Sequence, residues 1–204
     1  MISCPTQRLR PWDNRVKYTI RHYRMPTPPL DSYRPPDVKT LVELLRLRAD
    51  SASHAQQHAY GYLADAQETD DVVYVTYSEL DRRARALGAW LQQSGAAGSR
   101  ALLLYPPGLD YIAAFFGCLY AGVVAVPAYP PRLNRPMPRL QSIVADAEAT
   151  VALATPTILD SLARRFAHLP DLAALQWLDD SQVPQGLESA WRDPKDRAPA
   201  TGRT

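Results

Sequence analysis

Cysteine is almost missing from this sequence. Only Cys4 and Cys118 occur in 204 residues, which rules out a disulfide framework and leaves at most one bridge. Cys118 falls inside an apolar helical run, where a buried reduced thiol is expected. Charge of one sign is missing as well. Lys and Arg number 23 against 21 Asp and Glu, a formal net charge of +2, so the chain as a whole makes no electrostatic case for nucleic acid or a membrane surface. No apolar run nears the roughly 20 residues that cross a bilayer. The longest, Tyr111 to Val126, reads as a buried helix followed by a buried strand. The start, Met1-Ile2-Ser3-Cys4-Pro5, lacks the apolar stretch of about 7–15 residues that a signal peptide needs, and a cytoplasmic protein is the expectation. Phosphate-binding signatures are also lacking. Neither G-x-x-x-x-G-K-[ST] nor G-x-G-x-x-G occurs. Gly95-Ala96-Ala97-Gly98 joins a helix to a strand, the wrong order for a phosphate loop.

What is present divides into three stretches. Residues 1–38 mix arginines (Arg8, Arg10, Arg15, Arg21, Arg24) with prolines and hold no period, so they read as a mobile basic leader. From residue 39 the pattern changes. Thr40 with Glu43 three residues on has the spacing of a capping box before a short helix containing Leu41, Leu44 and Leu45. His58 to Leu63 and Val72 to Tyr77 read as a hairpin with a long loop. Ser78 with Asp81 suggests a second capping box, opening a helix whose apolar face is Leu80, Ala84, Leu87 and Leu91, with Arg82, Arg83 and Arg85 on or near the other face. Strands then alternate with helices: Ala101 to Tyr105, Asp110 to Ala121, Val123 to Val126, a helix marked by Leu140, Ile143, Val144 and Ala147, then Val151 to Ala154. Thr155-Pro156 opens a helix with the face Leu159, Leu162, Ala163 and Phe166, and Leu175 to Leu178 is the last strand. Strands apolar on both faces, each followed by a helix, predict an α/β fold: a three-layer parallel sheet with helices on both faces, preceded by a hairpin. Residues 181–204 read as a loop-like tail without a core signal.

Ligands of open parallel sheets bind beyond the carboxyl ends of the strands. Two proline-rich loops fall there, Pro106 to Asp110 and Pro127 to Pro131, and suit the wall of a pocket. They carry no nucleophile, no general base and no phosphate cradle; stiff strand–helix connections are the plainer reading. His54 and His58 lack the third ligand a metal site requires. His22 and His168 read as solvated. Asp70-Asp71 and Asp179-Asp180 sit where Asp favours turn geometry. Arg132, Arg135 and Arg139 read as a solvated face, with an anionic ligand as the sharper alternative. Residues alone therefore give a parallel α/β domain without a self-contained active site: no catalytic, cofactor-binding or metal residue is assigned.

Two segments carry a resemblance. Val75-Thr76-Tyr77-Ser78-Glu79-Leu80-Asp81 resembles the first core motif of the adenylate-forming superfamily, and Phe116-Gly117-Cys118-Leu119-Tyr120-Ala121-Gly122-Val123-Val124-Ala125-Val126-Pro127 resembles its second. The continuation Ala128-Tyr129-Pro130-Pro131, followed by Pro138-Arg139-Leu140-Gln141-Ser142-Ile143-Val144-Ala145-Asp146-Ala147, is similar to the fatty acyl-AMP ligases in particular. The resemblance runs from about residue 39 to 180 and implies an incomplete N-terminal subdomain of such a ligase. It implies activation of a fatty acid with ATP and Mg²⁺ to an acyl-adenylate, and transfer to an acyl carrier protein in polyketide or lipopeptide assembly. The family's phosphate loop and catalytic lysine have no matching position in these 204 residues, so the chain alone is expected to be inactive and to bind neither ATP nor Mg²⁺ tightly. Tyr129, Pro130 and Pro131 are the residues the resemblance places on the acyl side. A non-catalytic docking module and an unrelated flavodoxin-like binding domain are the competing readings.

Overall fold

The computed structural model describes residues 37–63, 72–130, 138–166 and 170–196. The expected leader lies outside these residues except for Asp37 and Val38, as does the hairpin loop 64–71. Helix α1 spans Leu41–Asp50 and opens with the capping box the sequence predicts. The Glu43 N–H donates to Thr40 Oγ1 at 3.1 Å, and the Thr40 N–H donates back to Glu43 Oε2 at 3.2 Å. Strands β1 (His58–Leu63) and β2 (Val72–Thr76) pair antiparallel as the expected hairpin.

Helix α2 runs Tyr77–Gln93, and its start corrects the sequence reading. Thr76, not Ser78, is the N-cap, because its Oγ1 accepts the Glu79 N–H at 3.2 Å from an extended backbone. Asp81 therefore lies within the first turns, on the buried side of the helix. It accepts hydrogen bonds from the Tyr120 hydroxyl at 2.5 Å and from Arg85 Nε at 2.6 Å. Burial and the Asp81 carboxylate push the Tyr120 phenol well above its ordinary pKa. Arg85 is half-buried rather than solvated, drawn inward by this partner.

The remaining elements alternate as predicted: β3 (Arg100–Leu104), α3 (Leu109–Ala121), β4 (Val124–Ala128), α4 (Pro138–Ala147), β5 (Val151–Ala154), α5 (Pro156–Phe166), α6 (Pro170–Ala173) and β6 (Gln176–Asp179). The single-turn α6 has no counterpart in the sequence reading. The four strands form one parallel sheet in the order β4-β3-β5-β6. Period-two alternation sends side chains to two cores. Ala101, Leu103, Val151, Leu153 and Leu178 pack with α2 and α3, while Leu102, Leu104, Ala152 and Ala154 pack with Leu140 and Val144 of α4, Leu162 of α5 and Leu172 of α6. This is the three-layer arrangement expected. Helices α2 and α3 approach closely because Gly117 has no Cβ; one built there would stand 2.6 Å from Leu87 Cβ. Cys118 is a fully buried free thiol, and burial pushes its pKa up to about 12. No described helix is long and apolar enough to cross a membrane.

Beyond β6 the described part of the expected tail, 181–196, carries only 3-10 turns, yet it is anchored. The Trp191 ring is buried, its Nε1 donates to the Tyr120 carbonyl at 2.6 Å, and the Arg46 and Arg85 guanidiniums lie 5.2 and 4.9 Å from its centroid. Arg46 pairs with Asp193 at 2.8 Å, and Lys195 pairs with Glu43. The Lys195 ammonium and the backbone N–H groups of Lys39 and Thr40 hold the Glu43 carboxyl at about 2. One tryptophan in a stretch of loop-like composition leaves no periodic trace, so the sequence could not show that this segment closes over the core.

Candidate functional site

Strands β3 and β4 run side by side with Leu104 opposite Ala128, so the chain leaves both at the same end of the sheet. That register brings the two proline-rich loops together. Between them lies a cleft of about 290 Å³ lined by Tyr105, Pro106, Pro107, Tyr111, Pro127, Ala128 and Tyr129. Its lining contains no charged residue. The prolines fix the backbone on either side, and three tyrosines give the walls apolar ring surface with polar tips.

Of the three residues singled out from sequence, only Tyr129 lines the cleft, at its rim and 81% exposed. Pro130 is half-buried beside it and contributes no lining surface, and Pro131 lies outside the described residues. The structure adds Tyr105 and Tyr111, which the sequence reading left in a strand and a helix. The available signal was positional: each flanks the Pro106-Pro107 loop, and an aromatic at the carboxyl end of a buried strand is well placed to wall a site.

Tyr105 is the less ordinary of the two. It is 4% exposed, and its hydroxyl is buried without a hydrogen-bond partner. The Asp180 carboxyl approaches it without completing a bond of ordinary length and angle; burial, with the charge of Asp180, pushes the phenol far above its usual range. Asp180 begins the 3-10 turn after β6 and borders a second hollow, about 220 Å³, between that turn and helices α2 and α3. Burial, together with the nearby carboxylates Asp110 and Asp179, raises the Asp180 pKa to about 6 even though Tyr105 and the Ser181 N–H act to lower it.

The other candidates are engaged locally. The His58 ring stacks on Tyr74 with centroids 4.2 Å apart, and His54 Nδ1 lies 2.9 Å from Ser51 Oγ. Asp179 caps the turn after β6, accepting the Ser181 N–H at 2.9 Å. Arg139 is exposed at the start of α4, while His22, Asp70, Asp71, Arg132, Arg135 and His168 lie outside the described residues. Among the described residues no three His, Cys, Asp or Glu side chains converge as metal ligands. The cleft offers no basic side chain to a triphosphate. The lining of this cleft therefore does not fit ATP with Mg²⁺, and no chemical step at that group is assigned to it.

Comparison with known proteins identifies the family. Residues 48–202 match the family model described as AMP-binding enzyme. A medium-chain-fatty-acid–[acyl-carrier-protein] ligase, JamA of Moorena producens, is 41% identical over 165 residues, covering 78% of this chain and 27% of JamA. The long-chain-fatty-acid–AMP ligase FadD32 of Mycolicibacterium smegmatis is 32% identical over 137 residues, covering 67% of this chain and 22% of FadD32. Among solved structures, the fatty acyl-adenylate ligase of L. pneumophila, in complex with acyl adenylate and pyrophosphate, superposes with a TM-score of 0.66. It is 30% identical, with 77% of this chain and 26% of that chain covered. The chain thus spans about a quarter of the length of these relatives, which are fatty-acid ligases. It belongs to the AMP-binding enzyme family of adenylate-forming ligases.

Proposed function

We propose that this chain forms the acyl-side part of an AMP-forming fatty-acid ligase that delivers its acyl group to an acyl carrier protein. The observation that carries the reading is the cleft at the carboxyl ends of β3 and β4, walled by prolines and tyrosines and free of charged lining. An alkyl chain gains from leaving water for such a surface, and the uncharged walls leave the carboxyl end of the substrate to be held elsewhere. Tyr129, at the rim of the cleft, shapes the opening through which an acyl chain enters. ATP and Mg²⁺ are held by groups other than the described residues. The activity is cytoplasmic, and the carrier protein is the acceptor named for JamA.

The test pairs two measurements on the purified chain. Decanoate binding, followed by calorimetry, should be saturable and weakened several-fold by Tyr129→Ala. Fatty-acid-dependent exchange of pyrophosphate into ATP should be undetectable. Exchange by the chain alone would overturn the claim that the nucleotide is held elsewhere; failure of decanoate to bind would overturn the acyl-side assignment.

A further inference from the structure

The sheet register places the unpartnered Tyr105 hydroxyl and the Asp180 carboxyl in one row. Leu104 pairs with Ala154, and Ala154 pairs with Asp179, so Tyr105 and Asp180 each stand one residue beyond the sheet, on strands separated by β5. Leu103 and Leu178 face the α2–α3 layer. Alternation sends Tyr105 and Asp180 to that same side. Adjacent strands lie roughly 4.8 Å apart, so two backbones about 10 Å apart are within reach of a tyrosine meeting an aspartate. The ring of Tyr105 lines the acyl-side cleft, while Asp180 borders the hollow on the α2–α3 side.

We propose that Tyr105 is a positioning residue for the acyl-side cleft, and that its ring is set by the charge state of Asp180 across the carboxyl end of the sheet. This rests on the acyl-side reading of the cleft. An ionised Asp180 is a strong acceptor for the buried Tyr105 hydroxyl, which has no other partner. A charge-assisted bond of this kind is about twice as strong as a neutral one. It holds the ring toward the α2–α3 side and keeps the floor of the cleft in place. Protonation weakens that hold and frees the ring to shift into the cleft. The groups facing Asp180 are known from every element around it: Asp179 on β6, Tyr105 beyond β3, Asp110 on α3, Arg82 and Arg83 on α2, and Glu188 on the following turn. The arginines are both paired with Glu79, so they offer Asp180 little compensation. The Asp110 and Asp179 carboxylates push the other way and favour its proton.

The experiment compares wild type, Tyr105→Phe and Asp180→Asn between pH 4.5 and 8. The first readout is ligand-free: carbon chemical shifts of the Tyr105 ring. In wild type they should follow a titration centred near pH 6, with Asp180→Asn flat across the range. The second is the binding of 1-decanol, chosen because its headgroup does not titrate there. Its affinity should rise about three-fold or more from pH 5 to pH 7.5 in wild type and stay constant in both variants. Decanol binding without a pH inflection, or an inflection that survives in Asp180→Asn, would overturn the positioning role while leaving the cleft assignment intact. Absence of decanol binding at every pH, with the Tyr105 titration still present, would overturn the acyl-side reading and this inference with it.

Discussion

The two faces of the sheet are built differently. On the α4–α6 face the described core is apolar, and Trp177 Nε1 ties it locally by donating to the Leu172 carbonyl at 2.8 Å. On the α2–α3 face the apolar core surrounds a polar cluster: Asp81 takes bonds from Tyr120 and Arg85, Arg85 lies over Trp191, and Trp191 donates to Tyr120. Apolar burial is non-directional and tolerates small shifts. A buried carboxylate is not tolerant, since losing a partner leaves it or its neighbour without compensation. The α2–α3 face therefore specifies one arrangement of α1, α2, α3 and the 187–195 segment, and the opposite face mainly supplies buried area.

The comparison can be broken by substitution. Asp81→Ala strands the Tyr120 hydroxyl and the Arg85 guanidinium at once and should cost about 3–5 kcal/mol. For a domain of this size that lowers the melting temperature by roughly 6–20 °C; a loss under about 1 kcal/mol would mean that the cluster is incidental. Leu102→Ala, on the apolar face, should cost about 2–4 kcal/mol as a cavity in a packed core, measured by urea unfolding with an unchanged denaturant slope. Gly117→Ala drives a methyl into Leu87 and should cost about 1–3 kcal/mol by overpacking. The companion Leu87→Ala, Gly117→Ala double variant should show a favourable coupling in a mutant cycle.

Smaller effects sharpen the contrast. The Asp180 carboxyl is raised in the folded chain from 3.8 to about 6, so the native state binds its proton more tightly than the unfolded chain does. Its contribution to stability is full below the ordinary carboxylate value and is lost as pH rises through about 6. Asp180→Asn should remove that slope, raising stability at pH 7 relative to wild type by less than about 1 kcal/mol once solvent screening of a half-exposed group is allowed for. Thermal melts at pH 4.5 and 7 check this. Arg100→Ala deletes an exposed pair with Glu148, 2.9 Å apart, and should change stability by less than about 0.5 kcal/mol. A larger loss would show that the rim of the sheet near α4 is more tightly built than its exposure suggests.

Much of the fold was legible. β5 falls on its sequence-predicted residues, Val151–Ala154, because a fully buried strand needs an unbroken apolar run and leaves no ambiguity of face. The Thr40 cap of α1 was legible for the same local reason. The cap of α2 was not, since Thr76 and Ser78 both satisfy the composition rule and only the backbone geometry selects Thr76. Asp81 was misplaced with it, although a carboxylate on the stripe of Leu80, Ala84 and Gly88, four residues before an arginine, is the pattern of an inward-facing pair. At the site, Tyr129 was named and Tyr105 was not, because a tyrosine ending a strand carries no mark of which cleft its ring will line.

The sequence by itself determined the order of the elements, the two-sided burial of a parallel sheet and the family to which the chain belongs. These follow from local periodicity and contiguous motifs. Tertiary structure alone decided which strands are neighbours, and so which residues meet: Tyr105 with Asp180 across β5, Asp81 with Tyr120 between α2 and α3, and Trp191 with α1 and α2. Each pairing joins residues far apart in the chain, and its register is set by packing area summed over whole elements, which no short window of sequence contains.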